Sequence, residues 1–133
     1  MVTATARRRE GYTHDVELDG HSMVFDEAES DGGTDQGPSP TRTVAAALAA
    51  CSAITMEMYA ERKGWELPDV EVEVEMEYGR PHSPKSFVVT LRLPKELSED
   101  QRKRLKVIAG KCPVHRVLSA ETEVSVEDRV ELV

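Results

Sequence analysis

Aromatic side chains make up only 5% of the 133 residues, cysteine occurs twice, and bases are outnumbered by acids. With so few aromatics the core has to be assembled from Val, Leu, Ala and Met. Such a core is thin for a compact monomer and favours an oligomer that buries more surface. Lys and Arg total 17 against 25 Asp and Glu, a net charge of −8. That balance argues against a nucleic-acid or anionic-membrane partner. The run Arg7, Arg8, Arg9 is too short to reverse it. No uninterrupted apolar run approaches the ~20 residues that span a bilayer. The N-terminal "MVTATARRRE" lacks the apolar centre of a signal peptide. These absences point to a cytoplasmic protein with no membrane partner. The two cysteines lie sixty-one positions apart and form no CxxC pair. In a reducing compartment such thiols are free, reactive or transiently bonded rather than permanent staples. The length fits a single domain over residues 1–133 that folds without a disulfide or a metal.

The pattern along the chain is richer. "GYTHDVELDGHSMVFDE" reads as a hairpin, with Asp19-Gly20 as a type I′ turn between Tyr12–Leu18 and His21–Asp26. The polar stretch "AESDGGTDQGPSP" (Ala28–Pro40) follows, either a plain connector or a loop that frames a pocket. A helix is predicted from about Pro40 to Lys63, with Ser39 as N-cap, Pro40 at its first position and Gly64 as its stop. From Val44 to Ile54 every residue but Ser52 is apolar, so this helix should be covered on all sides. "DVEVEVEMEY" (Asp69–Tyr78) alternates without a fault and predicts a half-buried antiparallel strand. Its glutamates read as a solvated sheet face rather than a metal site. A turn containing Pro81 and Pro84 leads to a second strand, Ser86–Leu93. Ser98 and Gln101 form a capping box at the head of a helix to Lys111. The basic cluster Arg102, Lys103, Arg104 and Lys106 reads as an ordinary exposed face of that helix. Beyond a short turn of helix after Cys112-Pro113, the strands Glu121–Val126 and Arg129–Val133 are predicted. The order of elements is that of an α+β domain.

The chemistry rests on the cysteines. Cys112 precedes Pro113 near the N-cap of the short helix "PVHRVLS", where unpaired backbone N–H groups favour a thiolate. Local physics therefore makes Cys112 the easier thiol to ionise. Cys51 sits three turns into the Ala-rich helix, where burial raises a thiol's pKa. Its activation would need a cation such as Arg7, Arg8, Arg9 or Arg42, or a residue of a second subunit. Arg42 falls on the opposite side of the helix from Cys51, while Thr41 lies nearer its face and offers a hydroxyl. Zinc could use Cys112 and His115 with Cys51 and one of His14, His21 or His82. No second closely spaced pair completes such a site, so no metal or cofactor is expected. No nucleophile-elbow pattern is present.

Together, "GGTDQGPSP", "AALAACSAITMEMYAERKGW" and "KCPVHRVL" resemble the OsmC/Ohr family, the osmotically inducible and organic-hydroperoxide-resistance proteins. The resemblance runs from the first hairpin to the last strands. It implies an α+β fold in which antiparallel sheets wrap around long central helices in an intertwined homodimer. It also implies a thiol peroxidase, in which Cys51 attacks a hydroperoxide and becomes a sulfenic acid, Cys112 resolves it as a disulfide, and a dithiol of the lipoyl type reduces that disulfide. Peroxidase members carry a glutamate near the start of the central helix, where this chain has Thr41 and Arg42. Their arginine comes from the N-terminal strands or a nearby loop, for which Arg7, Arg8 and Arg9 are candidates. The departure leaves an alternative open: a redox-responsive or small-molecule-binding dimer without efficient peroxidase turnover.

Overall fold

A computed structural model describes residues 1–133. At Asp19-Gly20 both residues take positive φ (44° and 87°), the backbone a type I′ turn demands. That turn joins β2 (Thr13–Leu18) to β3 (His21–Phe25) in an antiparallel register with Leu18 opposite His21. A strand absent from the sequence reading, β1 (Ala4–Glu10), pairs antiparallel with the free edge of β2 and completes the order β1-β2-β3. All seven of its residues are exposed, so no apolar alternation announced it.

The loop after β3 is built around one carboxylate. Asp26 is 1% exposed. Its Oδ2 accepts from the Thr13 hydroxyl at 2.7 Å, the Thr34 hydroxyl at 2.9 Å and the Gln36 N–H at 3.2 Å. Its Oδ1 accepts from the Glu27 N–H at 2.7 Å. The chain passes so close to itself here that a Cβ on Gly33 would lie 2.0 Å from the Glu27 carbonyl oxygen, and one on Gly37 2.3 Å from that of Val24. The same loop frames a cleft: Glu27, Asp31, Ser39, Thr41, Arg42 and His82 are among its walls. Of the two readings of this stretch, the structure selects the pocket-framing one.

Helix α1 runs Pro40–Lys63. Ser39 Oγ accepts from the Arg42 N–H at 3.3 Å, and Gly64 (φ 73°) ends the helix as the Trp65 N–H closes onto the Ala60 carbonyl at 2.9 Å. Leu48, Ser52, Met56 and Ala60, spaced four apart, form its buried face. The stripe Ala47, Ala50, Ile54 and Met58 is exposed. One chain thus covers a single side of a helix whose composition called for cover all round. In length and composition α1 is also long and apolar enough to cross a membrane. No uninterrupted apolar run in the helix reaches that length; Ala, Val, Leu, Ile and Met carry its average past the polar interruptions. Its packing is nevertheless that of a core helix: Met56 joins Leu97, Leu105 and Ala109 in the main apolar cluster.

Strands β4 (Glu71–Arg80) and β5 (Ser83–Arg92) form a two-stranded sheet whose turn is Pro81-His82, with Pro84 inside the strand. Val72, Val74 and Met76 of β4 are half-buried and the intervening glutamates exposed. Arg92 bridges Glu71 at 2.8 Å and Glu73 at 3.0 Å. Helix α2 (Glu99–Ala109) opens with the capping box of Ser98 and Gln101, both of its hydrogen bonds present. Helix α3 spans Pro113–Leu118. Contacts divide the chain into two compact units, Met1–Ala46 with Glu75–Val88 and Ala47–Val74 with Val89–Val133. The main cluster lies in the second, flanked by Trp65, Leu91 and Leu93. Fully burying a side chain such as Met56 or Leu105 contributes about 1.5–3 kcal/mol.

The two C-terminal strands are a correction. Residues 121–133 carry no regular structure, and Val124, Val126, Val130 and Leu132 are exposed. Alternation alone makes no strand. A strand needs an edge to pair with, and within the single chain this segment pairs with none.

Candidate redox site

Both cysteines are free thiols. Cys112 is the N-cap of α3, with extended backbone (φ −63°, ψ 144°) and Pro113 at the next position. The His115 N–H donates to its sulfur at 3.3 Å, and the Arg116 N–H to its carbonyl at 3.0 Å. Proline fixes the first helical φ and has no N–H to leave unpaired, so "CP" begins this helix cleanly. From α1 the Ser52 hydroxyl lies 3.8 Å from the Cys112 sulfur. Cys51, one residue earlier, is half-buried, and its thiol is near enough to that of Cys112 to shift its pKa. Residues sixty-one apart in the chain thus meet, and Ser52 joins them.

Cys112 is wholly buried. Burial pushes its pKa above the ordinary 9.0, and the neighbouring Cys51 thiol pushes it the same way. The His115 N–H and the Ser52 hydroxyl pull it down but do not prevail. The expectation that the helix end makes Cys112 readily ionised is therefore corrected. A six-residue helix offers one N–H to the sulfur, and desolvation of a thiolate outweighs that single bond.

The three arginines of β1 have partners of their own. Arg7 lies 3.9 Å from Glu17, Arg8 Nε donates to the Gly11 carbonyl at 2.8 Å, and Arg9 pairs with Asp15. All three are exposed on β1, and Arg42 is exposed at the head of α1. The Thr41 hydroxyl is 3.1 Å from that of Tyr78. No cation figures among the groups that shift Cys112. No group of three or more His, Cys, Asp and Glu is placed to hold a metal ion, so the zinc set does not assemble.

Sequence reasoning gave Ser52 no role and, outside the zinc set, read His115 as a surface or hydrogen-bonding residue. The first is the lone polar side chain in an apolar run, which was a usable signal. The second has a buried Nδ1 with no hydrogen-bond partner, for which the sequence carries no signal.

Comparison with known proteins gives a consistent picture. A family described as OsmC-like protein matches residues 33–127. An OsmC-like protein from Mycoplasma pneumoniae superposes with a TM-score of 0.76 at 18% identity, over 90% of this chain and 87% of that one. An organic hydroperoxide resistance protein OsmC from Legionella pneumophila gives 0.63 at 22% identity, over 89% and 88%. The organic hydroperoxide resistance protein OhrB of Bacillus subtilis gives 0.58 at 24%, over 88% and 89%. No functionally curated protein matches this sequence.

Proposed function

Because the chain belongs to the OsmC-like family, we propose that it is a single OsmC-like domain over residues 1–133, a thiol-dependent hydroperoxide reductase acting in peroxide stress in the cytoplasm. The observation that carries the proposal is the meeting of two free thiols, Cys51 and Cys112, beside Ser52. The Cys51 thiolate attacks the outer oxygen of a hydroperoxide, the O–O bond breaks, and the alkoxide leaves as alcohol on taking a proton. Cys51 is then a sulfenic acid. The Cys112 sulfur displaces its hydroxyl, which leaves as water, and a disulfide forms. An external dithiol, of the lipoyl type in the family's manner, returns both thiols by exchange. The half-buried position of Cys51 keeps bulk water from the sulfenic acid, and the buried Cys112 waits unionised until that acid forms.

A homodimer accompanies this reading. The exposed stripe Ala47, Ala50, Ile54 and Met58 on α1 supports it, since small residues let a second helix approach closely. A second functional reading, a redox-responsive or small-molecule-binding dimer without efficient turnover, is favoured by Thr41 and Arg42 standing at the start of α1, where the family's peroxidases carry a glutamate. Thiol titration before and after one equivalent of an organic hydroperoxide, with intact-mass detection, separates the two. Peroxidase chemistry gives loss of both thiols and about 2 Da per chain. Cys51→Ser then abolishes peroxide consumption, and Cys112→Ser permits one turnover and stalls. Two unreacted thiols after prolonged exposure overturn the peroxidase reading in favour of the second.

A further inference from the structure

A cavity of about 670 Å³ opens in the second unit, between β5 and α2. Its volume lies within the usual range for a small-molecule site. Leu91, Leu93 and Ala109 give it an apolar wall, and Ser52 and His115 line it as well. Arg102 and Lys106 are its two charged lining residues. They are four positions apart on α2 and so stand on one face, one turn from each other. Neither has a carboxylate within ion-pairing distance, whereas Lys103 on the same helix is paired with Glu99 at 3.2 Å. In a chain with 25 acidic residues, no acid lines this cavity.

Two unpaired cations beside an apolar wall fit a ligand with an anionic head and an apolar body. The cavity also stops one side chain short of the thiols. Ser52 is 3.8 Å from the Cys112 sulfur, and the His115 N–H donates to that sulfur at 3.3 Å. Arg102 stands in the first half of α2 and Lys106 in its last turn, and Gly110, which follows the helix, also lines the cavity.

We infer that this cavity is a binding site for a monocarboxylate with a medium-length alkyl chain, its head held by Arg102 and Lys106 and its chain lying on Leu91, Leu93 and Ala109. The site stands whether or not the thiols turn over peroxide, and its test is a binding measurement on the reduced full-length protein. Calorimetric titration with octanoate and with 1-octanol compares an anionic and a neutral head on the same chain. Octanoate should bind about tenfold more tightly or better, the margin expected of charge-assisted hydrogen bonds. The double variant R102Q/K106Q should erase that preference, while K103Q should keep it. Equal affinity for the two compounds overturns the inference, as does an octanoate preference that survives in R102Q/K106Q. Octanoate binding that needs both cations, in a protein that consumes no peroxide, would uphold the site and remove only the peroxidase reading.

Discussion

Asp26 and Cys112 are both ionisable and both sealed from water, at 1% and 0% exposure, yet their pKa values move in opposite directions. For the carboxylate, burial alone would raise the pKa, but donors from Thr13, Glu27, Gln36 and Thr34 overcome it and hold the group well below the ordinary carboxylate range. For the thiol, burial and the neighbouring Cys51 win over the bonds from His115 and Ser52. Burial sets the cost of a charge. The donors that accompany it decide whether the charge is kept. Asp26 is an anion held by its loop, and Cys112 is a neutral thiol packed under a short helix.

The strongest way to break this contrast is Asp26→Asn. The amide would turn its own N–H donors toward groups that already donate. The thermal midpoint should fall further than it does for Gly33→Ala or Ser52→Ala, and an unchanged midpoint would deny the carboxylate its organising role. Next in size is Gly33→Ala. Its methyl group would meet the Glu27 carbonyl and lie 2.8 Å from Asp26 Oδ1. It should cost about 1–3 kcal/mol in urea unfolding, as overpacking does. Solution pH reaches both groups with opposite signs. Asp26, with its folded pKa depressed from 3.8, contributes stability that is present above that value and lost as pH falls below it. Cys112, raised above 9.0, contributes stability that is present below that value and lost as pH rises past it. Urea midpoints taken from acid to alkaline pH should therefore decline at both ends, with the alkaline decline reduced in Cys112→Ala. The smallest effect belongs to Ser52→Ala. Loss of its hydroxyl should move the half-maximal alkylation of Cys112, followed by peptide mass, to slightly higher pH. A shift the other way would mean that the hydroxyl does not favour the thiolate.

How much of this was legible depended on whether local chemistry or a partner segment decides the outcome. The Asp19-Gly20 turn, the Pro40–Lys63 helix and the Ser98–Gln101 capping box are local, and each stands where the sequence placed it. Strand β1 and the C-terminal segment failed in opposite ways. The first has no alternation and found an edge on β2; the second has alternation and found none. At the candidate site, each cysteine's helical position could be read, but their meeting could not be read from spacing. Only the resemblance to a family implied it. The Asp26 hub was hidden because an aspartate in an acidic, glycine-rich loop has the composition of solvated surface. The cavity cations were hidden for a related reason: nothing in "QRKRLK" separates the paired Lys103 from the unpaired Arg102 and Lys106.

The hub and the thiol pair also belong to different stages of chain closure. Every side chain or N–H bound to Asp26 lies within 13 residues of it, whereas Ser52 and Cys112 are 60 apart. Closing the longer loop costs about 1 kcal/mol more in chain entropy. Local contacts of the first kind form early in a folding chain and distant ones late. The first 46 residues already contain everything the carboxylate binds. The two sulfurs remain strangers until α2 has been made and folded back, so the chain spends its unfinished moments with its reactive pair apart.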